Sequence, residues 1–167
     1  MMLSTHFSRE EMEHEYHDGN GLLVLDRIPE ELVPQYITFC KDVLEPIRVH
    51  FGKPMHITSG WRSEAHNAAV GGVPGSDHIA TPYRIAADFN IPGVLLITVF
   101  DWIRLHSGIL FDQVILERGG HDGSEADDCI HISWRVHNRR MALEGATQNK
   151  AGYIAREVSD PANWEVS

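Results

Sequence analysis

The sequence has few cysteines and no long apolar run, and each shortage excludes a class of protein. Two cysteines, Cys40 and Cys129, cannot form the disulfide framework of a small secreted domain, so we expect two free thiols and synthesis in a reducing compartment. The longest apolar run, Val94–Phe100, includes Thr98 and falls well short of the roughly 18 residues that a membrane-spanning helix needs. We therefore expect no membrane insertion.

Basic residues are also scarce: 14 lysines and arginines stand against 24 aspartates and glutamates, which gives a net charge of −10. A nucleic-acid partner would need a basic face, so this balance predicts none. Residues 1–15 are polar and acidic, and they lack the basic and then apolar order of a secretory signal peptide. The sequence therefore predicts no signal peptide, and export would need another route.

The length and the balance of residue types predict one folded domain. The chain has 167 residues, of which 43% are hydrophobic and 23% are charged, enough for one core without disulfide or metal staples. We place this domain at residues 1–143 and treat residues 144–167 as an extension of the same domain or a tail. We expect the protein to be a monomer.

Helical and strand patterns alternate along the chain. Ser8 and Glu11 have the spacing of a capping box, which predicts a short helix. Apolar residues spaced three or four apart from Leu32 to Ile47 predict the main core helix, with Gly52 as its stop. Further helices are predicted over residues 63–70 and 94–106, and strands over residues 55–59, 85–90, 114–117 and 130–134. Because the strands are short, we predict an α+β fold with a small antiparallel sheet flanked by helices.

Eleven histidines are the unusual feature of the composition, and two of them belong to a set that has the make-up of a metal site. His78, Asp88 and His131 would supply two neutral imidazoles and one carboxylate. A catalytic zinc site uses three such ligands and keeps its fourth position for water. The alternative is a hydrogen-bonded polar cluster without a metal, and the sequence does not show whether the three side chains converge.

Two further charged residues have the chemistry that hydrolysis at such a site needs. Asp128 lies three residues before His131, where it could take a proton from a metal-bound water without binding the ion. Asp127 and Glu117 are rivals for that role, and Glu117 could instead orient a histidine ligand. Arg62 is a planar cation suited to a substrate carboxylate or a polarised carbonyl, although a surface ion pair would explain it as well.

Four motifs follow one another along the chain: Ser59–Ser63, Asn67–Gly72, Ser76–His78 with Ala86–Asp88, and Ile130–Ser133. Together they resemble the zinc D-alanyl-D-alanine carboxypeptidase family, which includes phage and bacterial peptidoglycan peptidases, over about residues 3–143. The resemblance implies the small α+β fold that the family shares with the hedgehog signalling domain, the hedgehog/DD-peptidase fold. It also implies one Zn²⁺ ion held by His78, Asp88 and His131.

The resemblance implies a role for the other motif residues as well. Arg62 and Ser76 would bind substrate, Arg62 would also support the oxyanion, and Asp128 would be the catalytic base. The implied activity is that of a zinc metallopeptidase that hydrolyses peptide bonds of peptidoglycan stem peptides, as a carboxypeptidase or an endopeptidase. Since no signal peptide is predicted, we expect a phage endolysin that waits in the host cytoplasm for holin-type release, or a virion-associated enzyme, acting at the cell wall.

Two departures from the family pattern motivate other functions. The family separates the first histidine from the aspartate by seven positions, whereas here they are ten apart and Thr81–Arg84 fills the gap. Some members carry a histidine where this chain has Cys129. The alternative function is a non-catalytic, zinc-containing virion or cell-wall-binding module, and a third is a metal-dependent peptidase that acts on non-wall substrates.

Overall fold

The computed structural model describes residues 1–119, 128–146 and 152–159, and within them it confirms an α+β fold. The helices are α1 (Arg9–Met12), α2 (Val33–Phe39), α3 (Glu45–Phe51), α4 (Glu64–Ala69) and α5 (Leu96–His106). The strands are β1 (Glu15–His17), β2 (Leu23–Leu25), β3 (His56–Ser59), β4 (Arg84–Asn90), β5 (Gln113–Arg118), β6 (Cys129–Arg135), β7 (Met141–Ala146) and β8 (Ile154–Arg156). The longest uninterrupted α-helix in these ranges, α5, has 11 residues, and none of the helices there is long and apolar enough to cross a membrane.

The predicted core helix is a continuous helical stretch that changes pitch along its length. It begins with a 3₁₀ turn, Glu30–Leu32, continues as α2, widens into a π-helical segment at Cys40–Leu44 and ends as α3. Pro46 explains the wide segment, because it has no N–H and its ring crowds the carbonyl four residues earlier. Gly52 ends the stretch with a left-handed φ of 62°, as predicted. The predicted apolar stripe is buried: Leu32, Tyr36, Phe39, Val43 and Ile47.

The main sheet is larger than predicted and is mixed rather than purely antiparallel. Its six strands follow the order β3-β4-β6-β5-β7-β8, and β5 and β7 are its one parallel pair. A separate two-stranded antiparallel sheet joins β1 and β2. The sequence predicted too few strands because β7 carries Glu144 and Gly145 between its apolar residues, which obscures the strand pattern. β7 spans the predicted boundary at residue 143, and β8 extends the sheet beyond it.

Alternation along the central strands separates the core from a polar face of the sheet. The core-facing residues of β4, β5 and β6 are fully buried and join one apolar cluster with the helices: Ile85, Ala87, Phe89, Val114, Leu116, Ile130 and Ile132. The intervening positions carry Asp88, Glu117 and His131. In the register, Asp88 lies opposite His131, and His131 lies opposite Ile115 on the other neighbouring strand. The sheet therefore brings chemistry-bearing side chains from three adjacent strands onto one face.

Candidate metal centre

Three of the side chains named from the sequence converge on one point. Asp88 Oδ1 lies 3.1 Å from Nε2 of His78 and 2.7 Å from Nδ1 of His131. One potential ligand atom from each residue lies within 4.8 Å of the other two. The register places Asp88 directly across from His131, and His78 reaches them from the loop before β4. The convergence that the sequence left open is therefore a property of the fold.

The orientation of His78 is fixed by the backbone. Its Nδ1 donates to the carbonyl of Gly60 over 2.8 Å, so Nε2 is the ring nitrogen that faces Asp88. Gly60 lies against the N-terminal segment, where a Cβ on it would come within 2.6 Å of the Met12 carbonyl oxygen. Trp61 N–H donates to that same Met12 oxygen over 2.9 Å. The close approach of the two backbones thus needs glycine and fixes the carbonyl that holds His78.

A chain of ion pairs with buried carboxylates ties the His78 loop to the strand that carries His131. Asp77 accepts two hydrogen bonds from Arg135 at the end of β6, over 2.7 and 3.0 Å. Arg135 Nε also lies 3.3 Å from Asp112, which is fully buried and accepts further hydrogen bonds from Arg139. Burial alone would raise the pKa of the Asp112 carboxyl, but the hydrogen bonds and charge of Arg139 hold it below its usual value. The two histidines are therefore held by a shared network.

The electrostatics of the three-residue cluster favour a cation. Burial disfavours the charged form of Asp88, yet the charge and hydrogen bonds of His78 and His131 hold its pKa well below its usual value. Burial likewise works against the charged form of His131, but the hydrogen bond and charge of Asp88 raise the pKa of that ring. An ionised carboxylate between two imidazoles is a donor set that Zn²⁺ accepts. The residues fit one zinc ion with three protein ligands.

Arg62 lies beside the cluster with part of its guanidinium available. Its Nε donates to Ser59 Oγ over 2.8 Å, and its Nη2 donates to Asp88 Oδ2 over 3.2 Å. Within the described ranges no hydrogen-bond partner is found for its third nitrogen, Nη1. The side chain is 18% exposed and lines the cleft described below. Arg62 can therefore bind an acceptor group of a ligand while it orients Asp88.

A functional residue that sequence reasoning missed holds the segment around Arg62. The buried carboxylate of Asp26 accepts from Trp61 Nε1 over 3.1 Å and from Ser63 N–H over 2.6 Å. It also lies 3.0 Å from Nδ1 of His66, whose ring is buried and does not line the cleft. Asp26 belongs to no motif, so only its distant partners reveal its role.

The cluster opens into a cleft of about 910 Å³. The cleft is lined by the candidate site residues and by further side chains of and near the sheet: Arg62, Ser76, His78, Asp88, Glu117, Cys129, His131 and Tyr153. Burial raises the pKa of the Cys129 thiol, which therefore stays protonated at neutral pH. The extra residues Thr81–Arg84 do not line the cleft; instead Arg84 donates to the carbonyls of Gly75 and Ile79 and braces the His78 loop from outside.

The structure does not bring Asp128 into this cleft. Its carboxylate accepts from Gly119 N–H over 2.8 Å and from Arg118 Nη1 over 3.3 Å, and it lines a neighbouring groove beside the start of α5. Glu117, its rival from the sequence, does line the cleft. Asp127, the other rival weighed from the sequence, lies outside the described residues. The role of Asp128 as base stays a prediction.

A comparison with known protein families gives a match. A family model described as Peptidase M15 matches residues 5–118. The matched segment contains Arg62, His78 and Asp88 and ends with β5, before His131. Neither a curated protein nor a solved structure matches the chain.

Proposed function

The chain belongs to the peptidase M15 family, and on this premise we propose that it is a zinc metallopeptidase that hydrolyses peptide bonds in the stem peptides of peptidoglycan. The observation that carries the proposal is the convergence of His78, Asp88 and His131 beside Arg62. We assign its α+β architecture to the hedgehog/DD-peptidase fold on the same premise. A phage endolysin released from the host cytoplasm by a holin, or a virion-associated enzyme, is the setting that we propose.

Zinc, when bound by His78, Asp88 and His131, supplies an activated water and a Lewis acid. Arg62 Nη1 would bind the scissile carbonyl oxygen or a substrate carboxylate, since a guanidinium offers donors only. Ser76 would bind substrate at the rim of the same cleft. Asp128 is proposed to accept the proton of the attacking water and return it to the leaving nitrogen. Glu117 is the rival base, and it is the one of the two that lines the cleft.

The proposal is tested by mass spectrometry of purified peptidoglycan digested with the zinc-loaded protein and with a chelated control. We expect new peptide termini with zinc only, and their masses distinguish a D-Ala–D-Ala, an L-Ala–D-Glu or a crossbridge bond. A His78→Ala variant should lose both zinc and activity, because it removes one of three ligands. Equal activity with and without metal would refute the proposal.

Two further variants separate the rival bases. Asp128→Asn should retain zinc and lose activity by about a hundredfold or more if Asp128 is the base. Glu117→Gln is the matched variant, because it removes the same charge from the neighbouring strand end and leaves the three ligands intact. Loss of turnover in Glu117→Gln with full activity in Asp128→Asn would transfer the role to Glu117.

A second function is favoured by one observation. Asp128 is bound to Gly119 and Arg118 and does not line the cleft, as would suit a non-catalytic, zinc-containing virion or cell-wall-binding module. Tight, zinc-dependent binding to peptidoglycan without any new terminus would support that function. Cleavage would exclude it.

A further inference from the structure

Glu117 on β5 and Tyr153, just before β8, line the cleft on the side of the sheet away from Arg62. The hydroxyl of Tyr153 donates to Glu117 Oε1 over 3.0 Å. Glu117 lies opposite Gly145 on β7 and opposite Cys129 on β6. A Cβ at Gly145 would collide with the ring of Tyr153, so glycine at this position makes the space in which the ring packs. The ring of Tyr153 therefore packs closely against β7.

The hydrogen bond between Tyr153 and Glu117 determines which groups these two side chains can offer to a ligand. Tyr153 has one hydroxyl hydrogen, and it is committed to Glu117. Burial and the Glu117 carboxylate raise the pKa of the Tyr153 phenol, so the hydroxyl keeps that hydrogen at neutral pH. The pair can therefore present only acceptor atoms to the cleft: carboxylate lone pairs and the lone pairs of the phenol oxygen.

The cleft is consequently polar along its length. Arg62 holds Asp88 on β4, His131 lies on β6, and Glu117 lies on β5, in the order in which these strands are neighbours. Asp88 and His131 thus lie between a hydrogen-bond donor, Arg62, and an acceptor, Glu117. A peptide that binds across the metal centre would place acceptor groups at one end and donor groups at the other.

We propose that Glu117 and Tyr153 form a subsite for a primary ammonium group of the substrate, with Glu117 binding it and Tyr153 positioning Glu117. The ammonium could come from a peptide N-terminus or from the side chain of a diamino residue, since both present the same N–H donors and charge. This inference rests on the proposed function in that it takes the substrate to be a stem peptide. It assigns a specificity element to β5 and to a residue beyond the family-matched segment, which ends at residue 118.

The test compares four forms of the peptide L-Ala-γ-D-Glu-L-Lys-D-Ala-D-Ala: unmodified, acetylated on the N-terminal amine, acetylated on the lysine amine, and acetylated on both. Binding to the zinc-loaded protein is measured by NMR titration, and mass spectrometry of the recovered peptide shows whether it is intact. Where a peptide is cleaved, kcat/KM replaces Kd in the same comparison. Acetylation removes the charge and most of the donor capacity of one amine at a time.

We expect acetylation of one amine to weaken binding by about tenfold or more, as for a charge-assisted hydrogen bond, and the sensitive arm identifies the amine. In Glu117→Gln, the Kd of the acetylated peptide divided by the Kd of the free peptide should fall close to one. In Tyr153→Phe, this Kd ratio should fall only partly. Glu144→Gln is the matched control, because it removes a carboxylate from the adjacent strand outside the cleft, and it should keep the wild-type ratio. All variants should retain zinc.

Two results would overturn the subsite: no effect of either acetylation on the wild-type protein, or an unchanged ratio in Glu117→Gln. An unchanged ratio in Tyr153→Phe would remove the positioning role of the tyrosine. Failure of the proposed function gives a different result, namely no cleavage of any peptide while the binding ratio and its loss in Glu117→Gln persist.

Discussion

The carbonyl of Gly60 connects the N-terminal segment of the fold to the metal centre. It accepts the Nδ1 hydrogen of His78 over 2.8 Å, while its Cα lies against the Met12 backbone so closely that a Cβ would come within 2.6 Å of the Met12 oxygen. A Gly60→Ala substitution therefore cannot be accommodated without a backbone shift, because the obstructing atom is a main-chain carbonyl rather than a flexible side chain. The shift must move the His78 acceptor.

Two separately measurable effects are expected from Gly60→Ala. Overpacking of a buried backbone contact typically costs about 1–3 kcal/mol of the free energy of unfolding. Loss of the acceptor that orients a histidine ligand typically weakens metal binding by about 10–100-fold. Since the Gly60 carbonyl is hydrogen-bonded to one of the three candidate ligands, His78, we expect weaker zinc binding rather than its abolition.

The assay is a pair of measurements on Gly60→Ala and on Gly19→Ala as the matched control. A Cβ at Gly19 would meet nothing within 4 Å, so that variant tests the glycine-to-alanine change alone. Urea unfolding gives the stability, and competition with a chromophoric chelator gives the zinc affinity. If Gly60→Ala binds zinc as tightly as Gly19→Ala does, the argument that this carbonyl orients His78 is wrong.

Three further predictions follow from the buried charges and thiols. Arg135→Met should lower the free energy of unfolding by about 1–2 kcal/mol in urea titrations, because it leaves the buried Asp77 carboxylate without its guanidinium while Arg135 itself is 36% exposed. The pKa of Asp112 is lowered in the folded state, so its ionised carboxylate should contribute stability above about pH 4 that is lost as the pH falls toward the lowered pKa. In Asp112→Asn, the free energy of unfolding should therefore depend less on pH in the acid range. Burial raises the pKa of Cys40 to about 12, so a disulfide reagent at pH 8 should modify this thiol only after denaturation.

The elements that local patterns specify were predicted well from the sequence. The Ser8 capping box is present with both of its hydrogen bonds, and α4 lies within the predicted helix over residues 63–70, capped by the Ser63 hydroxyl. Strands β4, β5 and β6 extend only one or two residues beyond the predicted bounds. These strands can be recognised in the sequence because their apolar residues are close together in the chain and are buried together.

What the sequence could not reveal depends on partners that are distant along the chain. Asp26 lies 35 residues from Trp61 and 40 from His66, and no motif marks it. Tyr153 lies 36 residues from Glu117, on a segment with no strand alternation of its own. Side-chain roles of this kind follow from the sheet register, which a single sequence does not fix.

The buried Asp26 carboxylate yields the last prediction, which separates the stability of the Arg62 segment from metal binding. Asp26 accepts three hydrogen bonds, from Trp61, Ser63 and His66, and none of these partners is a candidate ligand. In Asp26→Asn, the amide nitrogen must face at least one of these donors, so we expect a loss of about 1–3 kcal/mol in the free energy of unfolding. Zinc affinity should stay within about threefold of wild type, since the hydrogen bond from His78 to Gly60 is untouched. Peptide binding should weaken because Arg62 lies within the released segment. A large loss of zinc affinity with unchanged stability would show that Asp26 acts on the metal centre instead.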